Sequence, residues 1–181
     1  MINIILLILS LSLIPKIDIW FTKYIYQINF LKILSGSQFI KRHFLGINCI
    51  FYAYFIYLGF WKMILYHSLF DLLFINFCLK WCIKRIRPIS SLFKDDKYFG
   101  LTDFKFTSKW AINQSFTSSH VSFTYSVFYL FWHFTSLNLL SYSYLIALII
   151  MILCRINKGA HYLSDCCYSI IFCTLFYQYI V

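Results

Sequence analysis

Three polar clusters contain residue types that could do chemistry, and the first is a pair of cations. Lys80 and Arg87 are separated by seven positions, or two turns of a helix, so both side chains could point the same way. Two converging cations suit a phosphate or another anion. The same residues also fit a helix end whose basic side chains extend to lipid headgroups.

A second cluster, residues 115–120, combines hydroxyl groups with an imidazole. Ser118 and Ser119 stand just before an apolar run, a position typical of a helix N-cap. A helix N-terminus presents free N–H groups and a partial positive charge, so it can bind an anion. The alternative is that the serines only cap the helix and that His120 is incidental.

The third cluster, residues 154–165, contains Arg155 and the pair His161 and Asp165. The pair is four residues apart, so on a helix the carboxylate can hold the imidazole. A carboxylate at the start of a membrane helix is costly unless it is paired or functional. The pattern therefore indicates either an activated histidine or a structural Asp–His pair.

Taken in order, the clusters resemble the three-part signature of the PAP2 phosphatase superfamily: KxxxxxxRP, then PSGH, then SRxxxxxHxxxD. The resemblance spans residues 80–165, and the spacing within the first and third parts is kept. Three ordered and spaced motifs are a specific signal. The matching residues are Lys80, Arg87, Pro88, Ser118, His120, Arg155, His161 and Asp165.

The resemblance implies a phosphatase that uses neither a metal nor another cofactor. His161 would attack phosphorus, Asp165 would orient its ring, and His120 would protonate the leaving oxygen. Phosphoryl transfer depends mainly on positioning and charge stabilisation, so fixed cations can serve where other enzymes use Mg²⁺. The predicted phosphate-binding residues are Lys80, Arg87, Ser118, Ser119 and Arg155.

Three positions depart from the family pattern. Thr117 stands where the family has proline, Ser119 where it has glycine, and Cys154 where it has serine. Ser119 can still offer its N–H to a phosphate, with less conformational freedom than glycine. Cys154 is a weaker hydrogen-bonding group than serine. These departures leave open a catalytically degenerate relative as the first alternative.

The composition of the whole chain indicates that these clusters lie in a membrane protein. Of its 181 residues 61% are hydrophobic, and the mean hydropathy is +0.74. A soluble domain of this size cannot bury so much apolar surface, so part of that surface must face lipid. The pattern predicts an all-α polytopic membrane protein with about six transmembrane helices, in one domain over residues 1–181. An interfacial helix is expected in residues 15–43. The predicted spans are approximately 2–14, 44–60, 62–77, 119–134, 137–153 and 162–181.

Six spans would put the three polar clusters on one membrane face, opposite both termini. The family resemblance implies a bacterial inner (plasma) membrane with the site on the extracytoplasmic face. The crowding of Lys and Arg on that face instead favours the cytoplasm. The family expectation is preferred because cations that bind substrate or headgroups are not free topology signals. The seven cysteines lie mostly in apolar segments and are interpreted as small buried hydrophobes.

The formal net charge of +10 suits anionic partners, here a lipid phosphate substrate and membrane headgroups. Basic residues punctuate the apolar segments rather than forming one block, so no nucleic-acid partner is expected. Candidate substrates are lipid A phosphate, undecaprenyl diphosphate, phosphatidylglycerophosphate and phosphatidate, and the oligomeric state is left open. A small transport or structural membrane protein is a second alternative, with polar residues spread along its spans. A vanadate-dependent haloperoxidase shares the signature but is soluble.

Overall fold

The structure is a computed structural model that describes residues 14–36, 38–80, 83, 85–93, 115–135 and 138–180. Within these ranges the regular elements are helices, which confirms the all-α prediction. A π-helical segment, Phe70–Leu79, directly continues the helix Trp61–Leu69. The helices are α1 (Pro15–Gln27), α2 (Asn29–Gly36), α3 (Gln38–Tyr57), α4 (Trp61–Leu69), α5 (Ser119–Phe134), α6 (Asn138–Asn157) and α7 (Leu163–Ile180).

Helix α5 lies at the centre of the fold and packs against α3, α6, α7 and the π-helical segment. Its apolar side chains Val121, Val127 and Leu130 are fully buried, so this helix supplies much of the core. Helix α1 packs against α6 and α7. The packing therefore brings Pro15–Gln27 to the two helices that flank the third polar cluster.

Two stretches are long and apolar enough to cross a bilayer: Trp61–Leu79, and Asn138–Asn157 in α6. They match two of the predicted spans and support association with a membrane. The six-span count is not confirmed by the described residues. Gly46–Tyr57 is a shorter apolar helix, and α5 has only 16 residues. The first predicted span, 2–14, lies outside the described residues except for Ile14.

The predicted interfacial segment is helical from Pro15 onward, with the proline in the first turn where its missing N–H costs nothing. Its buried residues Asp18, Thr22 and Ile25 recur at helical spacing and form one face. Trp20 and Tyr24 lie exposed on the other side and stack on each other. The helical prediction is therefore confirmed for α1, whereas its position along a membrane surface stays a prediction.

A polar cluster also lies inside the bundle, at some distance in sequence from the three motifs. His67 is fully buried, with Nδ1 3.1 Å from the Tyr52 hydroxyl and Nε2 3.7 Å from the Cys173 thiol. Tyr52 also bonds Ser126, and Cys173 bonds Ser122. Each of these polar groups has a partner within the protein, which is what a structural role requires. Of the described cysteines, Cys154, Cys166, Cys167 and Cys173 are buried, as their apolar surroundings predicted, whereas Cys49 and Cys78 are exposed, contrary to that prediction.

Candidate active site

The ammonium group of Lys80 is held in place by the end of the π-helical segment. Its Nζ donates to Asn76 Oδ1 at 2.8 Å, and Asn76 Nδ2 donates to the Asp71 carboxylate at 3.0 Å and to its carbonyl at 2.9 Å. Asp71 and Asn76 are five residues apart, the spacing that a π-helical ladder joins. Two side chains of the apolar stretch thus fix the direction of the first predicted phosphate-binding cation.

The loop that carries Arg87 packs against the turn before His161. The Ile89 N–H donates to the carbonyl of Gly159 at 2.9 Å. Gly159 has φ +65°, and a Cβ there would lie 2.8 Å from the Cβ of Ile89. Only glycine satisfies both the left-handed backbone and this close approach. The contact holds the first motif directly beside the third.

His161 is buried, and its two ring nitrogens have different partners. Nδ1 lies 2.6 Å from the carbonyl oxygen of Ser115, and Nε2 lies 3.3 Å from Nη2 of Arg155. A carbonyl can only accept and a guanidinium can only donate, so Nδ1 carries the proton and Nε2 keeps its lone pair. This is the neutral tautomer in which Nε2 can act as a nucleophile.

The electrostatic surroundings of this ring are strongly positive. Burial lowers the pKa of His161 well below its usual value, and the charges of Arg155, Lys80 and Arg87 lower it further. The same three cations are within electrostatic range of His120. The structure therefore brings together five of the predicted site residues from three separate parts of the chain.

Asp165 does not contact the ring of His161, contrary to the predicted direct Asp–His pair. One carboxylate oxygen accepts from Arg85 at 2.7 Å, and the other accepts from the Tyr162 N–H at 2.8 Å. The four-residue spacing fails here because His161 precedes the first turn of α7, which begins at Leu163. The carboxylate caps the backbone beside His161, and Ser115 holds the ring.

Sequence reasoning missed Arg85 and Asp18, which form a buried charge network with Asp165. The guanidinium of Arg85 bonds Asp18 at 2.8 Å and Asp165 at 2.7 Å, and all three side chains are fully buried. Ser164 joins them, with its N–H and hydroxyl donating to the carboxylate of Asp18 at 3.0 and 2.6 Å. The available signal was an arginine within the first motif and an aspartate amid the apolar residues of α1.

The second cluster differs in detail from its prediction. The Ser118 N–H donates to the hydroxyl of Ser169 at 2.8 Å, so this N–H already has an acceptor. The Ser118 hydroxyl is buried and has no partner among the described residues, and the same holds for Arg155 Nε. Unsatisfied buried donors are uncommon in native proteins and call for an explanation. A phosphoryl group would supply acceptors for both.

Helix α5 begins at Ser119 with Ser118 in the N-cap position, as predicted, but the Ser118 side chain makes no capping hydrogen bond. The N–H groups in the first turn of a helix have no intrahelical acceptor. His120 is exposed, and among the described residues its ring makes no hydrogen bond. This imidazole is therefore accessible to a substrate oxygen. The substituted positions Thr117 and Cys154 are both buried next to the motif residues.

The family model of the PAP2 superfamily matches residues 59–181, about two thirds of the chain. The matched region contains all three motifs. The chain therefore belongs to the PAP2 superfamily, which confirms the family prediction. Members of this superfamily are generally phosphatases that act on phosphate esters. Comparison with curated proteins and with solved structures found no match.

Proposed function

We propose that this protein is a membrane phosphatase that removes phosphate from a lipid headgroup through a phosphohistidine at His161. The observation that supports it most strongly is the tautomer of His161. The ring is held at Nε2 by the guanidinium of Arg155 and at Nδ1 by the carbonyl of Ser115, which leaves the lone pair on Nε2. A neutral nucleophile amid three cations is suited to attack an anionic phosphoryl group.

In the first step, Nε2 of His161 attacks phosphorus and the bond from phosphorus to the lipid oxygen breaks. The leaving oxygen takes a proton from His120, whose protonated form is stabilised by the negative charge of the bound phosphoryl group against the nearby cations. This gives a phosphohistidine and a lipid alcohol, or a lipid monophosphate where the substrate is a diphosphate. The ring is then positively charged, and its Nδ1–H still donates to the carbonyl of Ser115. Lys80, Arg87 and Arg155 balance the charge of the phosphoryl oxygens.

In the second step, His120 takes a proton from water, and the water oxygen attacks phosphorus. The P–N bond breaks, which releases inorganic phosphate and returns His161 to its neutral form with the lone pair on Nε2. His120 is protonated again for the next cycle. Each residue therefore finishes in its starting state, and the net reaction is hydrolysis of one phosphate ester or anhydride bond.

A lipid substrate is supported by where the site residues stand. Lys80 follows the apolar stretch Trp61–Leu79 directly, and Arg155 lies in the last turn of α6, Asn138–Asn157. Apolar side chains such as Leu72, Leu139 and Ile146 are exposed along these helices. A lipid could keep its tail beside these surfaces while its phosphate reaches the helix ends. Lipid A phosphate, undecaprenyl diphosphate, phosphatidylglycerophosphate and phosphatidate share this chemistry.

We expect the protein purified in detergent to release phosphate from at least one of these four lipids, with or without EDTA. Resistance to EDTA follows from the proposal that protein cations balance the phosphoryl charge. The assay would measure inorganic phosphate, with a water-soluble phosphate ester beside each lipid. A rate at least about tenfold higher for the lipid would support headgroup recognition at a membrane.

Two results would contradict this proposal. Full loss of activity in EDTA, restored by a divalent cation, would show that the site depends on a metal. No release from any lipid or soluble ester, with folded protein confirmed by a cooperative thermal transition, would indicate a degenerate relative. In that case the substituted positions Thr117, Ser119 and Cys154 would be the first to restore to the family residues.

A further inference from the structure

The buried charges outside the predicted site lie in one cluster, and Arg85 is at its centre. Besides its two carboxylate partners, its Nη1 donates to the hydroxyl of Ser164 at 2.5 Å. The guanidinium also lies over the ring of Tyr162, 3.9 Å from the ring centroid. A guanidinium with this many partners has one defined position, and the backbone of Arg85 is fixed with it.

The backbone of Arg85 leads directly to the histidine. Its carbonyl oxygen accepts the N–H of Ser115 at 2.8 Å and is 3.3 Å from the Ser115 hydroxyl. The carbonyl of Ser115 in turn accepts Nδ1–H of His161 at 2.6 Å. Ser115 thus links Arg85, the centre of the buried charge cluster, to Nδ1 of His161, the atom that carries the ring proton.

The other side of His161 is tied to the same cluster. The next residue, Tyr162, donates its N–H to Asp165 and packs its ring on Arg85. Its hydroxyl also bonds Ser91 at 2.8 Å, in the loop that follows Arg87. Both the acceptor of the imidazole and the backbone beside it are therefore held by groups that Arg85 contacts.

Asp18 is the member that comes from a distant part of the chain. It lies on α1, outside the region matched by the family model, and it is fully buried. Without Asp18, Arg85 would keep only Asp165 as a carboxylate partner among the ion pairs described here. A guanidinium drawn towards Asp165 alone would shift the backbone of Arg85, whose carbonyl holds the N–H of Ser115.

We infer that Asp18 is a positioning residue for the proposed phosphatase reaction, because through Arg85 and Ser115 it holds His161 in the tautomer that attacks phosphorus. The inference rests on the proposed function for its effect on rate. Its effect on the ring can be measured without any turnover. The two ideas can therefore fail separately.

The test is Asp18→Asn, which keeps the size of the side chain and removes its charge. We expect kcat to fall roughly 10- to 100-fold, the usual scale for a lost residue that orients a reacting one, with KM changed less than about twofold. In ¹⁵N spectra of histidine-labelled protein, wild-type His161 should show a protonated Nδ1 and an unprotonated Nε2. Asp18→Asn should show a mixture of the two tautomers.

The controls separate positioning from general damage. Tyr24→Phe changes an exposed residue of the same helix and should leave both readouts unchanged. Asp18→Glu restores the carboxylate and should recover part of the tautomer signal. His161 is assigned by the resonance that disappears in His161→Gln. Should Asp18→Asn fail to fold, Ser164→Ala removes hydrogen bonds to both Asp18 and Arg85 without a change in charge, and a mixed tautomer is expected there too.

A folded Asp18→Asn protein with wild-type kcat and a wild-type tautomer would overturn the inference. So would a lower kcat with an unchanged tautomer, because the effect would then not pass through the ring of His161. An inactive wild-type protein would refute the phosphatase proposal, whereas a tautomer change in Asp18→Asn would still support the positioning role.

Discussion

Replacement of His161 by glutamine is expected to lower phosphate release by a factor on the order of 10⁴ or more, since the nucleophile of a covalent mechanism cannot be replaced by an amide. Glutamine is polar and of similar length, so the packing around this nearly buried position should be kept. The measurement is kcat on the preferred lipid, with the thermal transition in detergent as the control for folding.

His133→Gln is the matched control, because it changes an exposed histidine on α5 outside the described site. It should leave kcat within about twofold of wild type, as surface substitutions away from such features usually do little. Substantial turnover in His161→Gln, above about a tenth of wild type, would show that another group attacks phosphorus. The proposed mechanism would then be wrong at its first step.

Arg155→Gln is expected to lower kcat/KM by about 10³-fold, the scale found when an arginine that stabilises a transferring phosphoryl group is lost. It removes the donor to Nε2 of His161 and a buried Nε that has no partner among the described residues. It also removes a positive charge that lowers the pKa of His161. That pKa should therefore rise towards its usual value of about 6.5.

The sign of the pH effect follows from the need for a neutral ring. As the pKa of His161 rises, a larger fraction of the ring is protonated at a given acidic pH, so the acidic limb of kcat/KM should move to higher pH in Arg155→Gln. Arg155→Lys keeps the charge and should keep the limb near its wild-type position. It should recover only part of the rate, since a lysine cannot reproduce the planar fork of arginine. An unchanged limb in Arg155→Gln would contradict this electrostatic account.

The motif residues were predictable from sequence because their chemistry depends on local spacing. Lys80 and Arg87 mark the end of one apolar stretch, and Arg155 and His161 flank a tight turn that needs Gly159. The family match and the all-helical fold agree with that prediction. The roles of individual residues were less predictable, because a hydrogen-bonding partner is chosen by packing. Asp165 was expected to hold His161, yet Arg85 and the Tyr162 N–H take its two oxygens.

The long-range partners could not be found by periodicity. Asp18 and Arg85 are 67 residues apart, and their pairing exists only because α1 packs beside α7. The contact between Asp71 and Asn76 was hidden for a different reason. Residues five apart lie on different faces of an α-helix, and the π-helical segment joins them. The hydropathy pattern shows that these polar residues lie within apolar segments, but it does not show which side chains they contact.

The most direct test of the central claim is to trap the covalent intermediate. Protein mixed with a ³²P-labelled lipid phosphate and quenched in alkali should retain label, because a phosphohistidine survives base and is lost in acid. Peptide mapping is predicted to place the label on His161, with no label in His161→Gln. Turnover without any trapped label, or a label on a different residue such as Ser118, would contradict the account.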